Sequence, residues 1–137
     1  MTKPTRVAPC GRSEARARAR AAAAYLEVAL LTLDEHSRDE LLNVAAGDAV
    51  LAGIAASDAI CCTKIGRRHR GDDHRGASEL LKTATPDGSR LATTLARLLD
   101  LKDEAHYGVM VVSARKALDA VRWATTLVNR ATDEIER

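Results

Sequence analysis

Lys102 and His106 stand four residues apart in Leu98-Leu99-Asp100-Leu101-Lys102-Asp103-Glu104-Ala105-His106-Tyr107-Gly108. On a helix this spacing puts both on one face, and Leu91, Leu95, Leu98 and Leu99 form the apolar part of the same ridge. A polar pair therefore finishes an apolar stripe, either at the edge of a core or in a cleft. In a cleft, a histidine can move a proton while a neighbouring cation steadies an anion, the pair of tasks that metal-free RNA cleavage requires. On that reading His106 is the acid/base that serves the ribose 2′-hydroxyl or the leaving oxygen, and Lys102 stabilises the phosphate. Tyr107 then orients the phosphate or stacks on a base. The other reading of these residues is structural. The Lys102 stem covers a core edge, His106 is favoured by a helix C-terminus, and Tyr107 packs.

Two more carboxylates interrupt an otherwise apolar stretch. Asp48 and Asp58 each project either into a cleft or toward solvent, and Asp58, within Ala55-Ala56-Ser57-Asp58-Ala59-Ile60, is the candidate for a functional role. No metal is expected. His69, Asp72, Asp73 and His74 lie close in sequence, but Arg67, Arg68, Arg70 and Arg75 around them would repel a cation. No cofactor is expected either, because the chain contains no phosphate-binding glycine loop, zinc knuckle or nucleophile elbow.

The net charge of +2 hides an uneven distribution. Residues 1–24 hold Lys3, Arg6, Arg12, Arg16, Arg18 and Arg20 against Glu14 alone. A second basic run, Lys64, Arg67, Arg68, Arg70 and Arg75, opposes only Asp72 and Asp73. Arg16, Arg18, Arg20, Arg67, Arg68 and Arg70 are therefore candidate contacts to RNA or another polyanion, gripping phosphates from a helix and a loop. A solvated, Arg/Ala-rich helix start is the competing explanation for the first run.

These side chains need elements to position them. A chain of 137 residues makes one domain of ordinary size. Much of its apolar content is alanine, and its aromatics are Tyr25, Tyr107 and Trp123, a composition suited to closely approaching helices rather than strands. The expected fold is all-α, an up-and-down bundle of about five helices. Residues 1–12 form a flexible basic arm, and 13–137 a single bundle domain. Ser13 is the expected cap of a first helix that runs to Thr32. A second, nearly all-apolar helix spans about 38–65, its ridge of Ala45, Ala49, Gly53, Ala56 and Ile60 suited to a neighbouring helix or a second subunit.

After a loop at 66–76, in which Asp72 or Asp73 caps the next helix, a third helix covers about 74–83. Thr85-Pro86-Asp87-Gly88 is turn chemistry. The fourth helix runs from about Ser89 to Tyr107, and Ser113 caps a last helix with a regular apolar stripe. Cys10, Cys61 and Cys62 suggest no disulfide framework, since adjacent cysteines diverge on a helix, and are expected to be reduced core residues. The uncharged run between Asp48 and Asp58 is short for a bilayer crossing, which needs about 20 apolar residues. With no secretory apolar region at the start, a cytoplasmic location with no membrane contact is expected.

The segment Lys102-Asp103-Glu104-Ala105-His106-Tyr107-Gly108, followed by a short link and the helix from Ser113, resembles the C-terminal layout of the helical HEPN family (higher eukaryotes and prokaryotes nucleotide-binding). The likeness extends over most of 38–135, and about a dozen positions carry it. It implies an all-α bundle, a homodimer that brings two motif helices together, and, for many relatives, a cognate antitoxin or nucleotidyltransferase. Ribonucleases of that family have four to six residues between an arginine and the histidine that follows it. Here those places hold Leu101, Asp100 and Leu99, so the arginine is missing. Lys102 stands in at shorter spacing, or the site binds without cutting. Arg68 and His74 have the family spacing but fall in the loop between helices. A noncatalytic module that binds RNA or a partner protein is therefore favoured, and the alternative is a metal-independent ribonuclease, as the toxin of a toxin-antitoxin or nucleotidyltransferase-associated pair.

Overall fold

The computed structural model describes residues 6–33, 38–71, 74–107 and 111–137, with only the backbone described for His74, Asp103 and Tyr107. The order of elements is β1 (Val7–Pro9), α1 (Arg12–Thr32), α2 (Asp39–Ile65), β2 (Arg67–His69), α3 (His74–Ala84), α4 (Gly88–Asp100), α5 (Lys102–Tyr107) and α6 (Ala114–Glu136). The architecture is the expected all-α bundle. Helix α2 runs through its middle, where Ala45, Ala46, Ala49, Val50, Ala52, Ala55, Ala56, Ala59 and Ile60 are fully buried. By length and composition alone α2 matches a membrane span, and here its apolar surface is largely covered by the other helices.

Small side chains decide how closely α2 is approached. A Cβ added to Gly53 would lie 2.5 Å from Leu98 Cδ1 and 3.5 Å from Leu127 Cδ1, so only a glycine lets α4 and α6 close on the helix here. The ridge of Ala45, Ala49, Gly53, Ala56 and Ile60 is thus consumed within one protomer and presents no face to a second subunit.

Local chemistry sets the helix ends. Gly66, at φ +67°, closes α2 in the left-handed conformation that glycine tolerates best. Ser113 caps α6 as expected, its hydroxyl oxygen accepting from the Lys116 N–H at 3.1 Å. Helix α1 starts earlier than expected. Gly11, not Ser13, takes the cap position, and the Glu14 carboxylate accepts the Gly11 N–H at 2.9 Å. The expected fourth helix is divided at Leu101, whose N–H reaches back to the Leu98 carbonyl at 3.0 Å and tightens the turn into α5. The expected caps Asp72 and Asp73 lie outside the described residues.

Two features of the N-terminal segment depart from the sequence reading. Residues 7–9 are paired rather than loose: β1 and β2 form an antiparallel ribbon with Val7 opposite His69, Ala8 opposite Arg68 and Pro9 opposite Arg67. Cys10 is also bonded to Cys62, with their Cα atoms 5.3 Å apart, which corrects the expectation of three reduced cysteines. Neighbouring residues on a helix point about 100° apart, so Cys62 faces the incoming segment while Cys61 stays as a buried thiol.

An ionic knot joins the end of α2 to α6 and to Asp87 at the start of α4. Arg130 donates to both Asp87 carboxylate oxygens, at 2.7 and 2.8 Å, and to Glu134 at 2.9 Å. Lys64 reaches Glu134 from α2 at 3.3 Å. Hydrogen bonds from Arg130 and Thr85 hold the Asp87 carboxyl far below the usual carboxylate range. Burial alone would raise Glu134, but Arg130 and Lys64 outweigh it and lower the carboxyl.

Candidate nucleic-acid interface

The two basic runs of the sequence meet in space. The Arg70 N–H donates to the Arg6 carbonyl at 2.8 Å, and the Cys10 N–H to the Gly66 carbonyl at 3.0 Å, flanking the paired residues of β1 and β2. Arg6, Arg67 and Arg70 are exposed on this ribbon, and Arg12, Arg16 and Arg20 are exposed on α1, which leaves it directly. Those three arginines recur every four residues, so they rise about 6 Å from one to the next along one helix face. A groove of about 270 Å³ between α1 and α6 lies beside them, lined by Arg16, Ala19, Arg20, Ala23, Thr132, Ile135 and the carboxylate-bearing Glu136. Polyanion contact needs this kind of fixed, repeated cation spacing rather than a buried pocket.

Not every candidate arginine is available. Arg18 is held by Asp58, its Nε donating to Oδ2 at 3.0 Å with Nη2 at the same distance. The Asp58 side chain is only 13% exposed, and burial pushes its carboxyl above the usual range despite the opposing pull of Arg18, Arg68 and His69. Asp58 thus acts as an inward anchor for α1 and the ribbon. Arg68 is half-buried between Asp58 and Glu14, its charge lowering the carboxyl of each. Both ring nitrogens of His69 are shut off from solvent with no hydrogen-bond partner among the described residues. Cys61 lies against this cluster, and burial together with Asp58 pushes its thiol up to about 12.

The Lys102–His106 pair lies elsewhere. Helix α5 packs on the first half of α2, and the exposed His106 ring rests over Gly47: a Cβ there would meet its Cε1 at 3.2 Å and its Nε2 at 3.3 Å. Asp48 is the adjacent carboxylate, raised by its partial burial and drawn down by the charge of His106. Gly47 and Asp58 are eleven residues apart, about 16 Å along one helix, so Asp58 does not join His106. Lys102 is half-buried, and the Tyr107 side chain lies outside those described.

Sequence reasoning missed the α2 side of this contact. Asn43 Oδ1 accepts the Val112 N–H at 2.8 Å and fixes the chain entering α6, while Gly47 opens the space that the imidazole fills. The available signal was a glycine inside a helix, where it costs about 1 kcal/mol against alanine and so points to a close approach. Neither a scan against family models nor a search of curated proteins returns a match to this chain.

Proposed function

We propose that this protein is a HEPN-like helical module that binds RNA without cutting it, through the ribbon arginines Arg6, Arg67 and Arg70 and the α1 arginines Arg12, Arg16 and Arg20. The observation that carries this reading is the pairing of β1 with β2, which joins the only two strongly basic runs of the sequence into one surface. Six exposed cations of one sign, fixed on a clipped ribbon and a helix, release counterions when they neutralise phosphates. Sequence selectivity is not expected from them, since phosphate contacts position a strand without reading it. Arg18 supports the surface from below by holding Asp58.

A second reading, metal-independent endoribonuclease action, draws on the exposed His106 ring beside Asp48 and on half-buried Lys102 one turn away. The absent family arginine weighs against it. Incubation of the full chain with labelled single-stranded RNA, followed in parallel by binding and by gel analysis of the strand, separates the two. Binding at low salt with an intact strand is the expected result. Cleavage that is lost in His106→Ala, weakened in Lys102→Ala and indifferent to chelators would establish the second reading instead.

A further inference from the structure

Of the ribbon that carries half of the basic surface, β2 packs on α2 and α3, whereas β1 is held by its pairing with β2 and by one covalent bond. The strands are three residues each, Val7 and Pro9 of β1 are exposed, and Pro9 has no N–H to donate. Two-stranded ribbons of this size are marginal without other support. Helices α1 and α2, by contrast, pack through Ala15, Ala22, Leu26 and Ala29 against the apolar core and do not depend on the ribbon. The disulfide joins Cys10, immediately after β1, to Cys62 near the end of α2, across 52 positions of sequence. Cys62 is buried, whereas Cys10 is partly exposed and offers the accessible sulfur.

We propose, building on the polyanion reading above, that the Cys10–Cys62 disulfide is a reversible clip whose reduction by a dithiol loosens the ribbon and weakens RNA binding. The thiolate of the dithiol attacks Cys10 Sγ, forms a mixed disulfide there, and displaces Cys62 as a thiolate that takes up a proton. The second thiol of the dithiol then closes on the first, which releases Cys10 as a thiol. One protein S–S bond is broken, the dithiol is oxidised to its disulfide, and its two electrons and two protons reside on Cys10 and Cys62. The bundle persists. Arg6 then leaves the surface, and Arg67 and Arg70, still beside α2 and α3, lose the strand that was paired against them. Cys61, buried beside Ser57 and Asp58 with its thiol pushed up to about 12, takes no part.

The test uses the full chain purified without reductant and a fluorescein-labelled single-stranded oligouridylate. Affinity is read by anisotropy before dithiothreitol, after it, and after its removal and reoxidation, with helicity followed by circular dichroism. Expected are a loss of about tenfold on reduction, with a log–log salt slope shallower by about 0.7 for each phosphate that is no longer neutralised, and recovery on reoxidation. Cys10→Ser should show the weak affinity throughout, and Cys61→Ala should behave as the unaltered chain. Good binding that is equal in both redox states would overturn the clip and leave the polyanion reading standing. Absence of binding in either state at low salt would overturn that reading and the clip with it. Alkylation of all three cysteines in the unreduced, folded-then-denatured chain would overturn the clip directly, whatever the variants do.

Discussion

The backbone N–H of Arg70 donates to the carbonyl of Arg6 at 2.8 Å, so two arginines from opposite basic runs end one short ribbon together. Neither run makes a continuous basic surface alone. The first is a helix with arginines on one side, and the second is a connection between two helices. Joined, they set exposed cations on a continuous stretch that starts at the ribbon and continues along α1.

Arg18 should matter for stability and not for RNA affinity. Arg18→Met leaves the nearly buried Asp58 carboxylate without its partner, a loss of about 1–3 kcal/mol in urea unfolding at neutral pH, and Asp58→Asn in the same chain should recover part of it. The pH dependence has a definite sign. Asp58 is raised in the folded state, so its contribution is full below its unfolded value and is lost as pH rises through the folded one. Without Arg18 the carboxyl rises further, and the variant should lose more stability than the unaltered chain between about pH 4 and pH 7.

Asp87 should behave in the opposite sense. Its carboxyl is depressed by Arg130 and Thr85, so the stability it contributes is present above its unfolded value and drains away as pH falls toward the folded one. Asp87→Ala should cost about 1–3 kcal/mol at neutral pH, because Arg130 loses a two-pronged charged partner. The acid limb of the stability profile, measured by thermal unfolding below about pH 4, should flatten in the variant.

Two glycines of α2 should respond to alanine with different signs. At Gly53 the new methyl meets Leu98 and Leu127 in the core, and overpacking of this kind costs about 1–3 kcal/mol. At Gly47 it meets only the exposed His106 ring, which can turn aside, and the helix gains about 1 kcal/mol from the loss of a glycine. Gly47→Ala should therefore hold or raise the melting temperature. By moving His106 away from Asp48, it should also raise the Asp48 carboxyl further, as read by NMR titration.

The bundle was legible in the sequence because its signals are local: alanine-rich ridges, the Ser113 cap, and the turn at Thr85 to Gly88, where Thr85 Oγ1 donates to Asp87 at 2.9 Å. The ribbon was not. Val7 to Pro9 and Arg67 to His69 are too short to show strand alternation, and their pairing joins segments far apart in sequence. The same distance hid the Cys10–Cys62 bond, since spacing alone favours no partner for Cys10. The basic surface was half legible. Composition pointed to Arg16, Arg20, Arg67 and Arg70, but which arginine turns inward depends on Asp58, on another helix, and no local pattern singles out Arg18.

The most direct test of the central claim is the salt dependence of RNA binding by the full chain and by a variant with Arg6, Arg67 and Arg70 all changed to Ala. If the ribbon and α1 form one phosphate-binding surface, the slope of log K against log salt should become shallower by about 2 when these three cations are removed, with α1 retaining the remainder. A slope unchanged by removing the ribbon arginines, or no binding by the unaltered chain at low salt, would contradict the account.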